Sequence, residues 1–163
     1  MMETQFAYGS NMDPNQLTNK GIKMRNPRIA KLEGYEFGYT KSSEWDGKFS
    51  CRTKIIHGKA NITPCKDSIV WGILLDLTED EVEKMDDSEG TRSGHYHREI
   101  IEVITDFDVI SATTYVATND YLIPNTPPLE WYLEYVVNGA KYQGLPPEYI
   151  NQIETLGLPS SVD

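Results

Sequence analysis

Two short segments hold residue types that could do chemistry together. Tyr8-Gly9-Ser10-Asn11 follows a partly apolar N-terminal run, and Asp87-Ser88-Glu89-Gly90 follows an acidic stretch. A glycine turn at the end of a strand lets successive backbone N–H groups converge on a carboxylate or a developing oxyanion. A glutamate on the turn after a helix is a candidate acid or base, here with Asp86 and Asp87 adding like charge beside it. Each segment alone has an ordinary explanation: a strand-to-helix turn with Asn11 as a cap, and a solvated carboxylate at an acidic helix end. Their joint presence is what points to a site.

A third cluster raises metal chemistry. His95 and His97 alternate onto one strand face, and Glu99 follows, which makes a metal-assisted amidase a rival reading. The remaining histidine, His57, is distant, and no zinc-binding helix motif occurs. The cluster therefore reads as a solvated strand face, and no metal site is expected. Ser10 lies outside any Gly-x-Ser-x-Gly elbow, so a serine nucleophile has no support either.

The elements that must position these residues follow from patterning. A strand over residues 2–8 leads into the first segment, and Asp13-Pro14 then supplies a helix N-cap and first turn. Arg28 to Thr40 and Asp67 to Leu77 read as strands, the second largely buried through Ile69-Val70-Trp71-Gly72-Ile73-Leu74-Leu75. Thr78-Glu79-Asp80-Glu81 is a capping box, opening a helix that turns Val82 and Met85 inward and ends near Asp87. Tyr96 to Ile104 and Val109 to Thr118 flank a turn at Asp106-Phe107-Asp108 as an antiparallel hairpin does. Trp131, Tyr135, Val136 and Ala140 share a helical face, Gly144 stops that helix, and Pro146-Pro147 opens a last one through Ile153. Mostly consecutive strands without a glycine-rich dinucleotide loop exclude a doubly wound nucleotide fold. The expected class is α+β, a mixed, largely antiparallel, barrel-like sheet flanked by short helices.

With 163 residues the chain fits a single domain over 1–163, with 160–163 as a frayed tail. Fifteen Lys and Arg against 25 Asp and Glu give a net charge of -10, which repels a phosphate backbone. Nucleic acid is thereby set aside as a partner. The N-terminal residues lack a signal-peptide pattern, and no window reaches the roughly 18 apolar residues of a membrane span. Cys51 and Cys65 read as reduced thiols, and the Asn61-Ile62-Thr63 sequon reads as chance. A cytoplasmic protein with no membrane partner is expected.

Phe6-Ala7-Tyr8-Gly9-Ser10-Asn11, Val70-Trp71-Gly72, Asp86-Asp87-Ser88-Glu89-Gly90 and Gly94-His95-Tyr96 occur in that order. Gly139-Ala140-Lys141, Gly144-Leu145-Pro146 and Glu148-Tyr149 follow them. This succession resembles the γ-glutamylcyclotransferase family over nearly the whole chain, and its Tyr-Gly-Ser-Asn loop differs from those typical of glutathione-specific and γ-glutamylamine-specific relatives. Met12 stands where the family often has leucine, and Ser42 to Lys66 does not align, leaving room there for a specificity loop.

The resemblance implies the family's fold and a cofactor-independent reaction. The α-amine of an L-γ-glutamyl group attacks its own γ-carbonyl, giving 5-oxoproline and a free amine. It implies Glu89 as general acid and base, with Tyr8, Gly9, Ser10 and Asn11 gripping the γ-glutamyl end. By position it adds Tyr96, Tyr115 and Tyr132 to the pocket wall, with Trp131 as an alternative to Tyr132. The implied partner is a small γ-glutamyl substrate, and a homodimer stays open. Two variants also stay open: a non-catalytic γ-glutamyl or carboxylate-binding domain of the same fold, and a cyclotransferase acting on a carrier-bound or biosynthetic γ-glutamyl substrate.

Overall fold

In the computed structural model, residues 1–45 and 55–159 are described. Five strands close into a barrel in the order β1-β3-β2-β4-β5. β1 (Glu3–Ala7) runs antiparallel to β3 (Ile55–Leu77), with Phe6 opposite Leu74, and meets β5 (Val109–Ala117) in parallel at Gln5 and Thr113. That parallel join makes the sheet mixed and removes its edge. β2 (Arg28–Trp45) and β3 form a long antiparallel pair, and β4 (Tyr96–Ile104) pairs with β5 from Tyr96 opposite Ala117 to Ile104 opposite Val109. The expected α+β, largely antiparallel barrel is the architecture found.

β3 begins well before the expected Asp67. The strand passes Pro64 through a register shift between Glu33 and Tyr35 of β2, and Asp67 takes a positive φ of 67°. A proline and three polar residues look like a strand end, but here they form an irregularity inside a continuous strand. The extra length carries Lys59, Ala60 and Asn61 into the barrel. Asn61 is fully buried, accepting from the Ala117 amide at 2.9 Å and donating to Thr40 Oγ1 at 3.1 Å. Its sequon is therefore closed to modification in the folded protein.

The expected helices form, with shifted details. α1 (Pro14–Asn19) is capped by Asp13, whose carboxylate accepts from the Asn15 amide at 2.7 Å. α2 (Glu79–Glu89) starts with the complete Thr78–Glu81 capping box and runs through Glu89 instead of ending near Asp87. In α3 (Glu130–Gln143) the expected Val136 and Ala140 face inward, joined by Tyr132, whereas Trp131 is 51% exposed and Tyr135 only partly buried. Gly144 closes α3 and α4 (Pro147–Gly157) follows. Val70, Ile73, Leu74, Val103, Met85 and Ile153 join one core that seats the helices on the barrel. No helix among the described residues is long and apolar enough to cross a membrane. Cys65 is a free thiol, whereas Cys51 and the expected tail at 160–163 lie outside the described residues.

Candidate active site

One cavity of about 330 Å³ is lined by both chemical segments, by Tyr96, Tyr115 and Tyr132, and by three lysines, Lys20, Lys41 and Lys59. The chain turns out of β1 at Tyr8 and enters a short 3-10 helix, Ser10–Met12. The first N–H groups of that turn have no partner within it. Gly9 is required by close approach: a Cβ there would lie 2.8 Å from the Ala60 Cβ and 3.6 Å from the Tyr132 hydroxyl.

Glu89 is the last residue of α2, and Gly90 caps the helix in the left-handed region at φ 68°. That reversal sends the chain away and leaves the Glu89 side chain, 16% exposed, at the cavity. Its Oε1 accepts from Asn11 Nδ2 at 2.8 Å and lies 3.6 Å from Lys20 Nζ. Lys20 Nζ in turn donates to Asn11 Oδ1 at 2.6 Å. The Asn11 amide is thus oriented from both ends, N–H toward the carboxylate and oxygen toward the ammonium. Asp86 and Asp87 are not part of this group. Asp86 accepts from the Tyr115 hydroxyl at 2.6 Å and pairs with Arg98 at 3.2 Å, while Asp87 is exposed.

The tyrosines are buried phenols, and burial pushes each hydroxyl well above its usual pKa. Most are already committed. Tyr8 donates to the Tyr115 carbonyl, Tyr96 to the Ala60 carbonyl at 2.7 Å, and Tyr115 to Asp86. Tyr132 differs, since its oxygen accepts from the Ala60 amide at 3.0 Å and its own proton is not spent in that bond. Of the two aromatic candidates on α3, Tyr132 is the buried one, and Trp131 forms the exposed rim.

The histidine cluster separates. His97 pairs with Glu99 at 2.8 Å on the outer surface, while His95 lines the cavity and bonds through Nδ1 to Lys41 Nζ at 2.8 Å. Burial, then Lys41 and Lys59, push the His95 pKa down and favour its neutral ring. Among the described residues no three His, Cys, Asp or Glu side chains converge to hold a metal.

The lysines were missed in the sequence. Phe37, Tyr39 and Lys41 continue one alternation into the barrel, with Lys41 only 3% exposed. A lysine in phase with buried aromatics was the available signal. Burial and the neighbouring Lys59 pull the Lys41 pKa down to about 8, with Glu89 acting in the opposite sense.

The AIG2-like family matches residues 69–153. A mouse γ-glutamylcyclotransferase is 31% identical over 157 residues, spanning 93% of this chain and 77% of the relative. The human γ-glutamylcyclotransferase is 30% identical over 162 residues with the same coverage. A solved structure of a γ-glutamyl cyclotransferase superposes with a TM-score of 0.79 at 23% identity, covering 99% of this chain and 91% of that one, which shows the shared fold. The chain belongs to the AIG2-like, γ-glutamylcyclotransferase family of enzymes.

Proposed function

We propose that the protein catalyses intramolecular aminolysis of an L-γ-glutamyl amine or amino acid, releasing 5-oxoproline and the free amine, in the cytoplasm. The observation that carries this reading is the Glu89 carboxylate fixed by Asn11 and Lys20 beside the loop at residues 8–11.

The attacking amine and the carbonyl share one molecule, so the enzyme's tasks are folding the substrate and handling protons. Oriented intramolecular reactions reach effective molarities of about 10⁵–10⁸ M. The α-amine is an ammonium at neutral pH and cannot attack. Glu89 takes its proton, the freed nitrogen attacks the γ-carbonyl carbon, and a tetrahedral intermediate forms with the charge on oxygen. Amides of Gly9, Ser10 and Asn11 serve as donors to the substrate and the developing oxyanion, since the open start of the 3-10 turn supplies N–H groups. Collapse breaks the C–N bond as Glu89 returns a proton to the departing nitrogen. The attacking nitrogen gives up its second proton, which Glu89 also passes to the departing amine, so that the lactam keeps one N–H and the amine leaves as an ammonium. Tyr8, Tyr96 and Tyr115 act here as the buried wall of the pocket, and Tyr132 has a hydroxyl proton to offer a ligand.

The test is incubation of purified protein with γ-glutamyl-alanine. The expected result is equimolar 5-oxoproline and alanine without glutamate, since glutamate would mean that water attacks. Neither product, or glutamate in place of 5-oxoproline, overturns the reading.

A further inference from the structure

Lys41 and Lys59 sit directly opposite each other on the antiparallel β2 and β3, and both line the cavity. Like charges at directly opposed sheet positions destabilise a fold, and burial adds a desolvation cost. Lys41 is 3% exposed and Lys59 is half-buried. Among the described residues neither has a carboxylate within 4.0 Å, whereas Lys20 has Glu89. What they do have is aromatic: Lys41 Nζ lies 5.5 Å from the Tyr96 ring centre and 5.0 Å from that of Tyr121, and Lys59 Nζ lies 5.8 Å from that of Tyr132. Aromatic faces and a neutral His95 steady an ammonium without neutralising it.

Charge balance identifies what is missing. A γ-glutamyl amino acid brings one ammonium and two carboxylates into the pocket. The ammonium faces Glu89, whose charge Lys20 already balances in the free protein. Among the described residues, Lys41 and Lys59 remain as two positive charges with no carboxylate within 4.0 Å. With its own ammonium counted, a γ-glutamyl amino acid carries a net −1 and offsets one of the two lysine charges, whereas a γ-glutamyl amine, with one ammonium and one carboxylate, offsets neither.

Resting on the cyclotransferase reading above, we propose that Lys41 and Lys59 determine specificity: the pair receives the free carboxylate of the departing amino acid and selects γ-glutamyl amino acids against γ-glutamyl amines and amides. Lys59 comes from the part of the chain that does not align with the family pattern, which fits a specificity role.

The test compares γ-glutamyl-alanine with γ-glutamyl-alaninamide, which differ in that carboxylate alone. Both kcat/KM and Kd are measured for the native protein, Lys41→Met, Lys59→Met and Lys59→Arg. The native protein should prefer the acid by about tenfold to a hundredfold, the usual worth of a charge-assisted hydrogen bond. Either methionine variant should reduce that preference to about threefold or less, and Lys59→Arg should retain it. Lys41→Met should also melt no lower than the native protein, since it removes a buried charge that has no carboxylate within 4.0 Å among the described residues. Equal use of the two compounds by the native protein, or a preference that survives both methionine variants, overturns the proposal. If neither compound yields 5-oxoproline, the cyclotransferase reading falls, and the ratio of the two Kd values still decides whether the lysine pair reads the carboxylate.

Discussion

At the scale of single residues, the site is organised by one amide. Asn11 holds Glu89 at 2.8 Å and Lys20 at 2.6 Å, so it orients the carboxylate more than it adds affinity. Replacing it with alanine should lower kcat by about tenfold to a hundredfold, in proportion to a lost charge-assisted hydrogen bond, with a smaller change in KM. Steady-state kinetics on γ-glutamyl-alanine checks this; a change confined to KM would mean that Asn11 serves binding instead. Glu89 and the loop were singled out in the sequence by their joint presence and by the family resemblance, and both line one cavity. The lysines were not singled out. Lys20, Lys41 and Lys59 come from three separate segments, and only the closed barrel brings them to one cavity. Asp86 and Asp87, neighbours of Glu89 in sequence, take other directions, since successive helical side chains point apart. Asp86 meets Arg98 and Tyr115, and Asp87 meets solvent.

At the scale of elements, two junctions aim the chemistry. The β1 exit works because Gly9 passes close to Ala60, so Gly9→Ala forces a contact of 2.8 Å between side-chain carbons. The substitution should destabilise by about 1–3 kcal/mol, and displacement of the loop should reduce kcat/KM as well. A melting curve and a rate measurement on the same sample test this; unaltered values would show that the loop yields freely. The start of α2 is fixed by Glu81, which bonds the Thr78 and Lys23 amides and Arg25. Burial acts to raise its pKa, but those bonds outweigh it and bring the value to about 2. A carboxylate depressed from 4.5 contributes stability that is fully present above pH 4.5 and lost as pH falls toward 2. Glu81→Gln should therefore cost on the order of 3 kcal/mol at pH 7, and its deficit should close below pH 4.5 in denaturant titrations. The capping box was readable because its partners lie three residues apart. The true extent of β3 was not, because Pro64 and Asp67 imitate a strand end. On α3 the expected Val136 and Ala140 are buried, but Trp131, the largest apolar side chain there, sits on the rim and Tyr132 takes the inward place.

At the scale of the whole molecule, a chain of net charge -10 encloses a cavity whose charged lining, among the described residues, is Lys20, Lys41, Lys59 and Glu89. The acidic exterior and the cationic interior are separated by a barrel that closes where β1 meets β5, with Thr114 Oγ1 donating to the Phe6 carbonyl at 2.9 Å. Fold class was legible from the succession of strands and caps. Closure was not, because a single parallel contact between the first and last strands leaves no local pattern. The barrel brings together Glu89 and the residues 8–11 that precede it by half the chain, and the proposed reaction depends on that meeting. The most direct measurement is turnover of γ-glutamyl-alanine by Glu89→Gln beside the native protein, with Kd for the same compound determined for both. The variant should fold and still bind the substrate while kcat for 5-oxoproline release falls by about a thousandfold or more, the loss expected of a group serving as both base and acid. A folded Glu89→Gln protein that releases 5-oxoproline at near the native rate would contradict that role.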